Sequence, residues 1–549
     1  MVTVMKKISF LFVLFCICAA VQAQPVKKRP KLVVGIVVDQ MRYDYLYRYW
    51  DKYSAGGIRR LVQQGFSFEN THYNYVPTYT GPGHAAIYTG TTPAINGIAG
   101  NDWYNRTLKR SVYVTEDTTV QTVGSGSANG KMSPAHLLTT TITDELEIFT
   151  QRRAKVIGIS IKDRGAILPA GHAADAAYWY DPSAGVWISS TFYMNELPLW
   201  VQEFNNKKLP DQYLSQEWTP LLPLSAYTES TADDVPYEVP FKGETKPVFP
   251  HSLKDLRSAY NYGLLSYTPW GNTLVADFAL ETIRREKMGS DDITDFLAVS
   301  FSSTDYVGHQ FGPDAIETED TYLRLDLELQ RLFAFLDQEV GKENVLIFFT
   351  ADHGGMNAIG YLQEMKIPAG YFDYKKYIAS LEAHMVQLYG AGDWVLHYDN
   401  QQVYLNRELI GERKLLLEDV VQQAIRFTVQ QPGVLNAVSG KDLAGTGLAD
   451  PLVEKMRKGF SISRSGDLAI LLQPGWMDAA AKGGTSHGSP YAYDTHVPLV
   501  FMGGGIPAGK TMQPAYITDI APTLAYLLGI MEPNGCTGAV LEIYGQTVR

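Results

Sequence analysis

Cysteine is nearly absent from this chain: three in 549 residues, at Cys16, Cys18 and Cys536. Two of these fall within the first twenty residues, so the remainder holds a single thiol. An internal disulfide framework is thereby excluded, and stability must come from a buried core. Positive charge is also short. Forty-seven Lys and Arg against 58 Asp and Glu give a net charge of −11, which argues against general nucleic-acid binding, a task that needs a basic face. An anionic substrate is not excluded, because metal ions and a few cations focus a local positive field. Long apolar runs are missing as well, and there is no internal repeat or low-complexity segment.

The apolar run that does open the chain, residues 8–20, is too short for a comfortable transmembrane helix. Lys6 and Lys7 precede it, and Val21-Gln22-Ala23 offers a small-residue cleavage site before Gln24. That order reads as a secretory signal peptide over residues 1–23, leaving 24–549 as the exported protein. Neither Cys16 nor Cys18 follows the small residue that a lipoprotein cleavage site favours. No stable membrane insertion is expected, and the sequence sets no oligomeric state.

Five short runs rich in Val, Ile, Leu and Phe lie at residues 32–38, 156–161, 296–301, 345–349 and 498–502. They do not alternate with polar residues, which suits strands buried on both faces of a parallel sheet. Helical patterns separate them. Leu325, Leu329, Leu332, Phe333 and Leu336 share one face after the acidic Glu319 and Asp320, and Asp519, Pro522 and Gly529 bracket a shorter helix. Strands alternating with helices predict an α/β fold, a three-layer α/β/α sandwich with a mostly parallel sheet. Two stretches break the rhythm, at about 171–271 and 359–482, and are expected to be insertions that cap the sheet edge carrying the site.

Most residues with chemical capacity follow the apolar runs. Asp39 ends the first run, and Asp305 and His309 follow the third with a four-residue offset that puts both on one side of a turn. Gly308 and Gly312 suggest a functional loop there. Asp352 and His353 follow the fourth run, beside Gly354 and Gly355, whose freedom lets adjacent residues reach one ion from a loop. His487 precedes the last strand. Carboxylate and imidazole are donors that zinc accepts, although other divalent ions accept them too. In Pro77-Thr78-Tyr79-Thr80-Gly81-Pro82-Gly83-His84, the hydroxyl of Thr80 becomes a nucleophile only if a base or metal lowers its pKa. The glycines allow close backbone approach, and a helix starting at residues 85–87 would offer its amino end to a phosphate.

Taken in order, Val37-Val38-Asp39, Thr80-Gly81-Pro82-Gly83-His84, Asp305-x-x-x-His309, Thr350-Ala351-Asp352-His353-Gly354 and His487-Gly488 resemble the alkaline phosphatase superfamily. The resemblance is strongest to the zinc alkaline phosphatases of Bacteroidetes-type bacteria that use a threonine nucleophile. It spans nearly the whole exported chain and implies two Zn2+ ions. One would be held by Asp305, His309 and His487, the other by Asp39, Asp352 and His353, with Thr80 on the second ion. It further implies that Asn101, Lys162 and Arg164 contact the phosphoryl group, and that the protein is periplasmic. A third, magnesium site is not supported, because residues 297–304 contain no carboxylate. Sulfatases carry Cys or Ser in a C/S-x-P-x-R motif, where this chain has Thr80 and His84.

The implied activity is hydrolysis of small phosphate monoesters through a phosphothreonine at Thr80. A nucleotide pyrophosphatase/phosphodiesterase-type hydrolase shares the two-zinc core and stands as the alternative. A non-catalytic binding protein that merely carries metal would be indifferent to Thr80→Ala.

Overall fold

The computed structural model describes residues 29–445, 450–479 and 483–543. The expected signal peptide, with Cys16 and Cys18, lies outside the described residues. The first apolar run forms β1 (Leu32–Val38), every residue of it buried. The large sheet also contains β2 (Phe66–Phe68), β3 (Thr122–Val123), β4 (Val156–Ser160), β5 (Ala176–Asp181), β6 (Val186–Ser190), β7 (Asp295–Phe301), β8 (Val345–Thr350), β9 (Leu499–Gly503) and β10 (Gly509–Thr511). Their order across the sheet is β10-β2-β9-β8-β1-β7-β4-β5-β6-β3. The central five strands, β8 to β5, are parallel neighbours. The fifth predicted strand, β9, runs antiparallel against β8.

Helices cover both faces. On one side α1 (Thr80–Thr89) packs against α2 (Asp163–Ala170) and α5 (Ile520–Leu528); on the other α3 (Ser303–Phe311) packs against α4 (Ile316–Glu339). This is the expected three-layer sandwich. In α4 the predicted face, Leu325, Leu329, Leu332, Phe333 and Leu336, is buried as one stripe in the main core. In α5 the predicted stop holds, since Gly529 takes a left-handed φ of +62°. Asp519 does not cap that helix: its carboxylate accepts from the backbone N–H groups of Tyr516 (2.8 Å) and Ala539 (2.9 Å) and braces the preceding turn instead.

Of the two irregular stretches, the first begins inside the large sheet, because β5 and β6 lie within 171–271. Its remainder packs over α4, where Asp320 accepts from Trp218 Nε1 at 2.8 Å and Tyr227 Oη at 2.6 Å. The second stretch builds a separate antiparallel sheet from Val395–Asp399, Gln402–Leu405, Leu468–Leu472 and Val434–Ser439. It has its own core around Leu381, Trp394, Val420 and Leu468. This unit leans on the hairpin Asp102–Asn105/Arg110–Tyr113, through Asn400 Nδ2 on the Asp102 carbonyl (2.7 Å) and Arg106 on Asp467 (2.8 Å). Asn101 stands at the root of that hairpin.

Candidate active site

Four adjacent parallel strands deliver the polar residues to one edge of the sheet. Asp39 follows β1, Lys162 follows β4, α3 with Asp305 and His309 follows β7, and Asp352 and His353 follow β8. In an open α/β sheet the crevice beyond the carboxyl ends of the strands is the ligand site. Asp39, Thr80, Lys162, Asp305, Asp352 and His353 are all buried there.

Two groups of donors stand close enough to hold cations. Asp305, His309 and His487 offer ligand atoms within 4.8 Å of one another, and so do Asp39, Asp305 and His353. Asp305 therefore reaches both groups. Asp352 adjoins the second, its Oδ2 3.6 Å from His353 Nε2. His353 and His487 stack with ring centroids 3.5 Å apart, which joins the two groups into one cluster.

The donor atoms fit a metal ion on two observations. Asp39 Oδ1, Asp352 Oδ2 and His353 Nε2 are buried without a hydrogen-bond partner among the described residues, a costly state for polar atoms unless they ligate. Each imidazole is also oriented by a backbone carbonyl at Nδ1: Thr485 for His309 (2.8 Å), Gly354 for His353 (2.8 Å) and Thr78 for His487 (2.7 Å). A proton fixed on Nδ1 leaves the Nε2 lone pair pointing into the site, the arrangement metal-bound histidines use. Burial drives the His353 pKa down to about 3. Burial and the neighbouring His353 ring hold His487 well below the usual histidine range. Both shifts favour the neutral ring that a metal ligand must be, whereas His309, with burial opposing, is held above the usual histidine range by Asp305. Burial and the Asp39 charge push Asp352 well above the carboxylate range. Asp305 moves far the other way: its own burial opposes the shift, but His309 and Lys162 outweigh it.

Thr80 is the first residue of α1, a helix that begins five residues earlier than expected. Its hydroxyl sits at the positive end of the helix dipole. Lys162 Nζ lies 3.4 Å from Thr80 Oγ1 and 2.6 Å from both Asp39 Oδ2 and Asp305 Oδ2. Burial disfavours this ammonium, yet the two carboxylates hold its pKa above the ordinary lysine value. Asn101 and Arg164 stand at the margin. Asn101 Oδ1 accepts from the Gly81 N–H (2.8 Å), and Arg164 Nη1 donates to Tyr113 Oη (2.8 Å). Tyr113 in turn donates to Asp163 (2.6 Å).

The expected close backbone approach is found at Gly83, and at Gly354 it takes the place of the expected flexibility. A Cβ on Gly83 would lie 2.3 Å from the Asp352 carbonyl oxygen, and one on Gly354 would lie 2.2 Å from the Tyr493 carbonyl oxygen. Neither glycine adopts a positive φ. Asp305 and His309 sit on the nine-residue helix α3 and not in the expected loop, with Gly312 (φ +100°) ending it. Gly83→Ala is expected to wedge α1 away from Asp352 and lower kcat/KM by about 100-fold, the usual scale for an ångström of misplacement. Circular dichroism should still report a folded chain.

Gln40 was not legible in the sequence. It adopts φ +61°, donates its backbone N–H to Asp352 Oδ1 (3.2 Å) and its side-chain amide to Asp305 Oδ1 (2.7 Å), and so couples both donor groups. Its only signal is position, next after Asp39. In the sequence His84 stands out only for the arginine of the sulfatase motif that it replaces. Its ring bridges the Thr80 carbonyl (2.9 Å) and Ser300 Oγ (2.9 Å), and burial lowers its pKa to about 4.

A family profile described as type I phosphodiesterase / nucleotide pyrophosphatase matches residues 33–496. The chain belongs to this family. Among individual relatives, a Myroides odoratus protein named calcium-transporting ATPase is 47% identical over 526 residues, covering 95% of this chain and 96% of its own length. Alkaline phosphatase PafA of Elizabethkingia meningoseptica is 46% identical over 524 residues, 94% of this chain and 95% of the relative. A crystal structure of alkaline phosphatase PafA superposes with a TM-score of 0.91 at 46% identity, over 93% of this chain and 98% of that one. The family, and its alkaline phosphatase members in particular, agree with the resemblance drawn from the five motifs.

Proposed function

We propose that the protein is an exported zinc-dependent alkaline phosphatase that hydrolyses small phosphate monoesters through a phosphothreonine at Thr80. The observation that carries this reading is the meeting of Thr80, Lys162 and both donor groups within hydrogen-bonding reach. Two relatives about 46% identical that bear the name alkaline phosphatase support it. Among the described residues, no helix is long and apolar enough to cross a membrane. Apart from β5 and β6, the stretches at about 171–271 and 359–482 would serve as the cap that frames the leaving group.

One ion would be held by Asp305, His309 and His487 and the other by Asp39, Asp352 and His353. When bound, the pair supplies Lewis-acid charge for the attacking and departing oxygens. In the first displacement Thr80 Oγ bonds to phosphorus, the ester P–O bond breaks, and the alcohol leaves with the proton that Thr80 gives up. In the second, water bonds to phosphorus, the Thr80–phosphorus bond breaks, and Thr80 regains a proton as inorganic phosphate departs. Lys162, Arg164 and Asn101 face the equatorial oxygens, where charge spreads in the transition state, and act through position and charge.

The phosphodiesterase alternative draws on the family description itself, which names that activity. Steady-state kinetics on an aryl phosphate and its methyl diester separate the two readings, and a higher kcat/KM for the diester overturns the monoesterase assignment. Dialysis against a chelator is expected to remove both activity and bound zinc, and added zinc to restore them. Elemental analysis checks the metal, and activity that survives its loss counts against every metal-based version.

A further inference from the structure

Gln40 is buried and left-handed, with φ +61°, a backbone for which glycine is the default residue. Such an outlier persists where its surroundings over-determine it, and it points to a role for the side chain. Here Tyr322 Oη donates to the Gln40 carbonyl (3.3 Å), and the side chain runs through a slot left by two glycines of other motifs. A Cβ on Gly308 would lie 2.0 Å from Gln40 Oε1, and one on Gly355 would lie 3.0 Å from Gln40 Cγ. Neither glycine has a positive φ, so space and not conformation accounts for them. At the end of the slot Nε2 donates to Asp305 Oδ1 (2.7 Å). That oxygen stands 3.1 Å from His309 Nε2 and 3.6 Å from His487 Nε2. The other oxygen of Asp305 is taken by Lys162 (2.6 Å).

We propose that Gln40 is the positioning residue that allots Asp305 to the His309–His487 ion, and that Gly308 and Gly355 admit its side chain. The inference rests on the two-ion reading. Asp305 reaches both donor groups, and a carboxylate free to turn would be shared between them. With Oδ2 on Lys162 and Oδ1 on the Gln40 amide, it is held against rotation, and the remaining lone pair of Oδ1 serves His309 and His487. Asp352 depends on Gln40 differently. Its Oδ1 accepts only the backbone N–H (3.2 Å), which leaves Oδ2 bare beside His353. Loss of the side chain should therefore weaken one ion and spare the other.

Zinc is titrated into the metal-free full-length exported chain against a chromophoric chelator, for the wild type, Gln40→Gly and Gln40→Met, with the Tm of each metal-free form. Glycine suits the backbone and keeps the N–H; methionine keeps the length and has no donor. The wild type is expected to bind two ions, and both variants to hold one of them about 10–100-fold more weakly, the usual worth of a hydrogen bond that orients a ligand. The other ion should bind as in the wild type, and the metal-free Tm of Q40G should not fall. Adding Gln40→Gly to His309→Ala should leave the one remaining ion unaffected, which identifies the weakened site. Gly308→Ala should reproduce the weakening in the wild type and add nothing to Q40G, where the amide it would strike is gone. Two ions held by Q40G and Q40M as tightly as by the wild type overturn the proposal and leave the two-ion reading standing. Equal weakening of both ions with a lower metal-free Tm also overturns it, and makes Gln40 a packing residue. A wild type that takes up fewer than two ions overturns the two-ion reading and the proposal with it.

Discussion

Replacing Thr80 with alanine is expected to lower kcat/KM for an aryl phosphate by about four to six orders of magnitude, the scale seen when a covalent nucleophile is removed. The structure explains why one hydroxyl matters so much. Thr80 is 1% exposed, begins α1 and stands 3.4 Å from the Lys162 ammonium. Water delivered by diffusion has none of that positioning, which by itself accounts for a large part of the barrier. The carboxylate and imidazole donors all come from other residues, so T80A should retain its zinc. Rapid quenching with labelled substrate should trap phosphate on the wild type and on Thr80→Ser, which keeps the hydroxyl, but not on T80A. If T80A kept its activity within tenfold, a water would be the nucleophile and Thr80 only a contact.

The strand tips were readable because the physics there is simple. Buried parallel strands are continuous apolar runs, so β1 and β8 appear in the sequence within a residue of their observed bounds, and Asp39, Asp352 and His353 fall at their ends. The pairing of His487 with Asp305 was not readable by periodicity, since 182 positions separate them, and only family resemblance joined them. The sequence pattern starts α1 too late because Thr80-Gly81-Pro82-Gly83 has the composition of a turn. Helical geometry prevails there because tertiary packing outweighs propensity: Gly83 lies against the Asp352 backbone and the Gly81 N–H is taken by Asn101. The same override put Asp305 and His309 on a helix despite Gly308. Gln40 escaped notice for a different reason. A left-handed glutamine is uncommon, and nothing in its side chain announces that its amide and its backbone each hold a carboxylate.

Removing Lys162 and Arg164 together should discriminate among substrates and not merely weaken the enzyme. A monoester brings two negative charges to the site and a diester one, so cations aimed at the equatorial oxygens favour the monoester. Each such contact is typically worth about 10²–10³ in kcat, and the double alanine variant is expected to lose about 10³–10⁵ on an aryl phosphate. On the methyl diester the loss should be about tenfold or less, because Coulomb attraction scales with the charge present. Lys162 has a second role that must be separated from this one. It is 2.6 Å from both Asp39 and Asp305, so its loss leaves two buried carboxylates without their ammonium. Breaking a buried pair costs about 3–5 kcal/mol, and that cost would fall on both substrates alike. Zinc content and Tm of Lys162→Ala and Arg164→Ala are therefore measured singly, beside the kinetics. Arg164 bonds Tyr113 and not a donor carboxylate, so R164A should keep its metal and still lose monoester preference. Equal losses on monoester and diester in R164A would mean that the guanidinium supports the fold of the Tyr113–Asp163 corner and does not read substrate charge.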